Sequence, residues 1–183
     1  FGDIYAGYLA KKLGLPIDKL IVATNKNDIL HRAISEGDYT QKKVEETNTP
    51  SMDIQIASNF ERLLYDVKNC NSEATKQVMN KIKNNTYKID NNDLDKIKKN
   101  FTSETLDEAE TIEMIKDIYN RYQIVVDPHT AVGIGAVKKL GLEKNCVVLS
   151  TAHPCKFPNA TNNAINKHVK LPKELQHVLD KNE

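Results

Sequence analysis

The chain has 183 residues, enough for one sizeable core, and its 28% charged residues balance to a net charge of +1. A protein with so little net charge does not attract nucleic acid or an acidic membrane through its overall electrostatic field. Any anion must therefore bind at a local cluster of donors. No apolar run approaches the roughly 20 residues of a membrane span. Three cysteines without paired metal spacing predict reduced thiols in a cytoplasmic protein and no metal site.

In chain order, the first half alternates helix-like and strand-like segments. The start at Phe1-Gly2-Asp3 indicates a strand-to-helix turn inside a longer protein, so we expect the chain to be a fragment. An amphipathic helix follows, with Ile4, Leu9 and Leu13 on its apolar face and Gly14 at its end. The patterns then predict a buried strand, a short helix and a longer helix, at 19–24, 27–35 and 54–67.

The second half continues this alternation. Residues 69–101 are rich in Asn, Lys and Asp and predict a helical insertion on the surface. A capping-box pattern at Thr105 and Glu108 predicts the next helix, and the apolar runs 124–126 and 146–149 predict two buried strands around a helix that Asp127-Pro128 caps. The order predicts an α/β fold, a three-layer sandwich in which a mainly parallel sheet has helices on both faces.

Two places suit a ligand. A helix opened by a glycine turn offers free backbone N–H groups and the positive end of its dipole to a phosphate, although Gly2 is also a common turn residue. The polar segment from Ser150 to Phe157 follows the predicted strand 146–149, and ligands collect at the carboxyl ends of strands in open α/β sheets.

Six motifs occur in one order and carry a resemblance. They are Phe1–Asp3, Ala23–Asp28, Pro50–Ile54, Ser58–Arg62, Asp127–Ala131 and Ser150–Phe157. With them the chain resembles the C-terminal part of the threonine synthase family. The resemblance implies a fold-type II pyridoxal-phosphate enzyme of the tryptophan-synthase-β-like fold, which converts O-phosphohomoserine and water to L-threonine and phosphate. It also implies that residues 1–183 are the C-terminal part of the catalytic region and that the Schiff-base lysine lies in an N-terminal half outside this chain.

The resemblance assigns cofactor contacts to two of these motifs. Phe1, Gly2 and Asp3 would form the end of the loop that cradles the cofactor phosphate. Thr151 would hydrogen-bond the pyridine nitrogen, where a neutral hydroxyl tempers the electron sink. A strand-end residue that satisfies backbone groups is the alternative reading of Thr151.

Other motif residues are candidates for the substrate pocket, since arginine and hydroxyl groups match phosphate geometry. The candidates are Ser51, Asp53, Asn59, Arg62, His153 and Lys156. Each also has a structural alternative: Arg62 as a surface ion pair, and His153 and Lys156 as residues of a solvent-facing loop. Asp28 is predicted to cap the helix that follows it rather than to bind a ligand. His129 follows Pro128 at a predicted helix start and could complete the cap of that helix.

Two functions from different classes remain open at this point. One is a pyridoxal-phosphate lyase whose N-terminal half is supplied elsewhere, so that the isolated chain is inactive. The other is a non-catalytic structural or anion-binding α/β fragment. A nucleotide-binding doubly wound domain is disfavoured because no G-x-G-x-x-G follows a predicted strand.

Overall fold

The computed structural model describes residues 1–178, in which two short strands are surrounded by helices. No helix in this range is long and apolar enough to cross a membrane. The strands are β1 (Leu20–Thr24) and β2 (Phe101–Thr105). The helices are α1 (Gly2–Lys12), α2 (Ile29–Ser35), α3 (Phe60–Val67), α4 (Ser72–Lys83), α5 (Asn91–Asn100), α6 (Glu108–Tyr122), α7 (Pro128–Lys139) and α8 (Pro158–Ile165), with 3-10 turns at Pro50–Met52, Pro154–Lys156 and Lys173–Val178.

The two strands pair in parallel, with Leu20 opposite Phe101. Because successive side chains of a strand point to opposite faces, β1 contributes to two cores. Leu20 and Val22 join the main core with α2, α3, α4 and α5, whereas Ile21 and Ala23 pack against apolar side chains of α7. This arrangement of helix, parallel sheet and helix confirms the predicted α/β fold class.

The main core covers one face of the sheet. Phe60, Leu63, Leu64 and Val67 of α3 are all buried there, as their helical spacing predicts. Burying each such side chain stabilises the fold by about 1.5–3 kcal/mol relative to leaving it exposed. Helix α3 thus anchors the main core through one apolar stripe.

Residues 69–101 differ from the predicted surface insertion. Both predicted helices are present, as α4 and α5, but Val78 and Ile82 of the first and Leu94 and Ile97 of the second are buried in the main core. Their other faces carry the exposed Asn and Lys residues that dominate the composition. The segment is therefore an integral part of the core.

Two predicted strands are not strands in the described part of the chain. Residues 124–126 and 146–149 lie outside any ladder, and Val147 is 85% exposed. A short apolar run becomes a strand only where a neighbour accepts and donates its backbone hydrogen bonds, and β1 and β2 pair with each other. Val148 of the second run approaches α7, where a Cβ added at Gly133 would lie 2.9 Å from it.

Strand β2 is not predicted by the sequence patterns, and α6 begins later than they indicate. Thr105 ends β2 instead of opening a helix. The capping box is formed by Asp107 and Glu110, each accepting the other's backbone N–H, at 2.8 and 2.9 Å. With a single strongly apolar residue, Phe101, β2 depends on its pairing with β1.

Two helix predictions are wrong in detail. Helix α3 begins at Phe60 rather than at residue 54, because a 3-10 turn and irregular backbone occupy the preceding residues. On α1, Ile4 contacts the main core as predicted, together with Tyr8, whereas Leu9 and Leu13 are 40% and 89% exposed. The predicted apolar face is therefore right at Ile4 and wrong at Leu9 and Leu13.

The contact between α7 and Leu106 gives a stability prediction. A methyl group at Gly135 would lie 2.2 Å from Leu106 Cδ2. We expect Gly135→Ala to destabilise the fold by about 1–3 kcal/mol, although alanine favours a helix over glycine by roughly 1 kcal/mol. Leu106→Ala alone should cost about 2–5 kcal/mol because it leaves a cavity.

The double variant, Gly135→Ala with Leu106→Ala, tests whether the clash with Leu106 causes the loss of stability. The new methyl group would partly fill the cavity that Leu106→Ala leaves, so the double variant should be more stable than the sum of the single effects by at least about 1 kcal/mol. Chemical denaturation of the four proteins measures the coupling. Simple additivity would contradict the packing described here.

Candidate functional site

A buried carboxylate organises the N-terminus of α7. Asp127 Oδ1 accepts the backbone N–H groups of His129 at 3.0 Å and of Thr130 at 3.5 Å. Its side chain is 0% exposed. Burial by itself would raise the pKa of Asp127, but the hydrogen bonds from His129 and Thr130 outweigh it and hold the pKa below its usual value. Asp127 is therefore a charged acceptor inside the protein.

The His129 ring connects this carboxylate to the 3-10 turn at residues 50–52. The Ser51 backbone N–H donates to His129 Nε2 at 3.2 Å, so that nitrogen carries the lone pair. His129 Nδ1 then carries the proton and donates it to Asp127 Oδ1 at 3.0 Å. The ring also packs on Phe157, with 4.6 Å between centroids.

Thr130 connects the same carboxylate to the loop that contains Thr151. The Thr130 hydroxyl donates to Asp127 Oδ2 through a short hydrogen bond. Because its single proton is used there, the hydroxyl oxygen faces Thr151 as an acceptor, and the Thr151 backbone N–H donates to it at 3.4 Å. The Thr151 side chain is exposed. Two predicted site segments, at Ser51 and Thr151, thus meet the cap of α7.

Asp53 is held in a second network, next to the carboxyl end of β1. Its Oδ1 accepts the side-chain amides of Asn25 at 2.7 Å and Asn27 at 2.9 Å, and the Thr47 hydroxyl at 2.7 Å. Its Oδ2 accepts the Thr47 backbone N–H at 2.9 Å. The Asn25 amide also donates to Thr49 Oγ1 at 2.8 Å. The carboxylate of Asp53 therefore ties the end of β1 to the loop before the 3-10 turn.

The N-terminus of α1 meets the N-terminus of α3. A Cβ added at Gly2 would lie 3.2 Å from Asn59 Nδ2, and the Phe1 ring packs edge-on against Phe60 with 5.2 Å between centroids. Asp3 is exposed in the first turn of α1. The structure thus brings together the predicted residues Gly2 and Asn59, at a helix end whose first backbone N–H groups have no intrahelical acceptor.

Three further predicted residues lie at the surface. Arg62 is exposed on α3 and forms no ion pair with any residue of the described range. His153 is exposed and its Nδ1 accepts the Cys155 backbone N–H at 3.2 Å. Lys156 is exposed, with its ammonium 5.7 Å from the Phe157 ring centroid. Their donors are free to meet an anion.

Sequence reasoning missed the roles of several polar residues. His129 and Thr130 contact both site loops, and Asn25 contacts Asp53. The sequence predicts Asn25 and Asn27 either in a turn at the end of the strand or in a ligand site, and the structure places both side chains on Asp53. The predicted cap at Asp28 is wrong, because its side chain pairs with Arg32 Nε at 2.9 Å and forms no cap hydrogen bond.

Comparisons with known proteins agree on one family. A family model described as "Threonine synthase, C-terminal" matches residues 130–183. Threonine synthase of Pseudomonas aeruginosa is 39% identical, over 100% of this chain and 40% of that protein. Threonine synthase of Saccharomyces cerevisiae is 44% identical, over 97% of this chain and 40% of that protein.

Solved structures give the same result. The chain superposes on pyridoxal-phosphate-bound threonine synthase of Brucella melitensis with a TM-score of 0.92 and 38% identity, covering 100% of this chain and 40% of that one. The yeast threonine synthase structure gives a TM-score of 0.89 and 40% identity, with 100% and 41% covered. The chain thus spans about 40% of the length of these relatives. It belongs to the threonine synthase family, whose C-terminal part it matches.

Proposed function

We propose that this chain forms the C-terminal part of a pyridoxal-phosphate-dependent threonine synthase, which converts O-phosphohomoserine and water to L-threonine and phosphate. One observation carries the proposal: the cap of α7 joins the family motifs at Ser51 and at Thr151 through hydrogen bonds to His129 and Thr130. Family membership supports the same reaction. The enzyme would work in the cytoplasm.

The residues present fit the phosphate of the cofactor at the start of α1. The space next to Gly2 would be filled by a Cβ, which would lie 3.2 Å from Asn59 Nδ2, so only glycine leaves room for a phosphate there. The first N–H groups of α1 and the positive end of its dipole favour an anion. Phe1, Gly2 and Asp3 would hold the phosphate through backbone groups.

Thr151 would bind the opposite end of the cofactor. Its hydroxyl is exposed in the loop that Thr130 holds, and we propose that it hydrogen-bonds the pyridine nitrogen. Pyridoxal phosphate supplies an electron sink for the elimination and replacement of the substrate phosphate. A neutral hydroxyl partner leaves the pyridine nitrogen largely unprotonated and so limits this sink.

The substrate phosphate would be bound by donors from three segments. Arg62, His153 and Lys156 have exposed side chains whose charge or N–H groups suit a phosphate, and Ser51 and Asn59 add a hydroxyl and an amide. Asp53 has a different role in this proposal. Its carboxylate is satisfied by Asn25, Asn27 and Thr47, so it shapes the pocket without contacting the substrate.

We also propose that an N-terminal part of the same enzyme completes the site. In this proposal it supplies the lysine that holds the cofactor and pairs with the exposed run 146–149, where Val147 is 85% exposed. Covering this run with a strand would satisfy its backbone groups and bury its apolar side chains.

The first functional prediction concerns the isolated chain. With pyridoxal phosphate and O-phosphohomoserine it should form no threonine, because it lacks the family's cofactor-holding lysine. Adding the N-terminal part, if the two associate, should restore activity. Threonine formation is measured by mass spectrometry against a reaction without protein, and formation by the chain alone would refute this division of the site.

The second prediction concerns Gly2. In the complete enzyme, Gly2→Val should weaken pyridoxal-phosphate binding at least roughly tenfold, because the side chain would intrude where the phosphate approaches the backbone. Ala6→Val is the matched control, since Ala6 is exposed on the same helix. Equilibrium titration measures affinity, and a thermal melt of the apo protein measures folding. Equal affinity losses in both variants would show that Gly2 is only a turn residue.

The third prediction concerns Thr151. Thr151→Val keeps the shape and removes the hydroxyl, so the complete enzyme loses a hydrogen bond worth about 1–3 kcal/mol if the group is buried by the bound cofactor. Turnover should fall about tenfold or more, since 1.4 kcal/mol is a factor of ten. Thr151→Ser keeps the hydroxyl and should retain most activity. Unchanged turnover in the valine variant would make Thr151 a structural loop residue.

A further inference from the structure

The Asp127 carboxylate does more than a helix cap requires. One oxygen suffices for the cap, and Oδ1 already accepts the N–H groups of His129 and Thr130. Asp90 and Asp107, the N-caps of α5 and α6, are exposed and each accept one backbone N–H. Asp127 instead has a fully buried side chain. Burying a charge is costly unless it is well paired, and two of the side chains that pair with this one, His129 and Thr130, contact two separate loops.

We infer that Asp127 is a positioning residue of the site, which aligns two of its walls at once. It acts on the Thr151 loop through the Thr130 hydroxyl and on the Ser51 turn through the His129 ring. This inference rests on the function proposed above, because Thr151 and Ser51 are the proposed cofactor and substrate contacts.

The hydrogen bonds that run from Asp127 through Thr130 to Thr151 form the first arm of this network, and their donors and acceptors are fixed. The carboxylate can only accept, so Thr130 must give it the single hydroxyl proton, and the Thr130 oxygen is left to accept the Thr151 N–H. Thr151 is thereby held by its backbone, which leaves its own hydroxyl free for the cofactor. If the acceptor at Asp127 Oδ2 is lost, the Thr130 hydroxyl is no longer held in one orientation, and the Thr151 N–H loses a fixed acceptor.

The hydrogen bonds that run from Asp127 through the His129 ring to Ser51 form the second arm, and their donors and acceptors are also fixed. Asp127 Oδ1 accepts the Nδ1 proton of His129, which leaves the lone pair of Nε2 aimed at the Ser51 N–H. Phe157 packs on the same ring, so the imidazole is restrained from two sides. Both arms end at one carboxylate, which therefore helps to position both loops.

The test uses the complete enzyme loaded with pyridoxal phosphate. Thr130→Val removes the first arm and keeps the shape, and Asp127→Asn keeps an oxygen for the cap and for His129 while placing an N–H2 group opposite the Thr130 hydroxyl. Both should weaken pyridoxal-phosphate binding about tenfold and change the absorbance of the bound cofactor. Thr130→Ser keeps the hydroxyl and should restore both readouts.

His129→Phe tests the second arm separately. It keeps a ring against Phe157 but removes both nitrogens, so the Ser51 turn loses its acceptor. We expect the KM for O-phosphohomoserine to rise about fivefold or more, with pyridoxal-phosphate affinity within twofold of the parent enzyme. Asp107→Asn is the capping control, and should leave affinity, absorbance and KM unchanged.

The outcomes separate this inference from the proposed function. If the parent enzyme neither binds pyridoxal phosphate nor forms threonine, the proposed function fails and the inference with it. If the parent is active but Thr130→Val and Asp127→Asn keep its affinity and absorbance, only the inference is overturned. The inference is also overturned if Asp107→Asn causes an equal loss, or if neither Thr130→Val nor Asp127→Asn folds. In those cases the network would have a structural role alone. Where one variant fails to fold, the other decides.

Discussion

A carboxylate that is removed from water must collect donors where it lies, and this constraint shapes the site. Asp127, which is fully buried, and Asp53, which is half-buried, accept hydrogen bonds from backbone N–H groups, hydroxyls, side-chain amides and an imidazole. Such donors come from several segments of the chain, so each carboxylate ties loops together. These hydrogen bonds connect the loops at Ser51 and Thr151 to the start of α7.

Elsewhere in the fold the same constraint is met by ion pairs. Arg32 is buried between Asp28 and Asp38, and Asp93 of α5 is paired with Lys68 and Lys96. These pairs join α2 to its following turn and α3 to α5 away from the proposed site. A charged partner neutralises the carboxylate, whereas neutral donors leave its negative charge in place.

The run 146–149 forms an unusual surface, which the proposed N-terminal part would cover. The run 146–149 is apolar, yet Val147 and Leu149 are 85% and 55% exposed. The chain spans about 40% of the length of its relatives, and in the function proposed above this run pairs with the N-terminal part. The family fold would then extend from the two paired strands described here.

The sequence by itself determined the features that depend on neighbouring residues. The apolar run of β1, the stripe of α3, the proline and aspartate that begin α7 and the glycine that follows it predict local structure directly, because each acts within one turn or one strand. The six ordered motifs likewise identified the family. What the local patterns could not reveal was strand β2, whose single strongly apolar residue, Phe101, becomes part of a sheet only beside β1.

Only the tertiary structure decided which polar residues meet. His129 and Ser51 are far apart in sequence, as are Thr130 and Thr151, and their hydrogen bonds depend on how α7 packs against the sheet. Tertiary packing also determines that α4 and α5 are buried on one face and that residues 146–149 are exposed. Whether an apolar face is covered depends on distant elements, so local spacing predicts the face but not its partner.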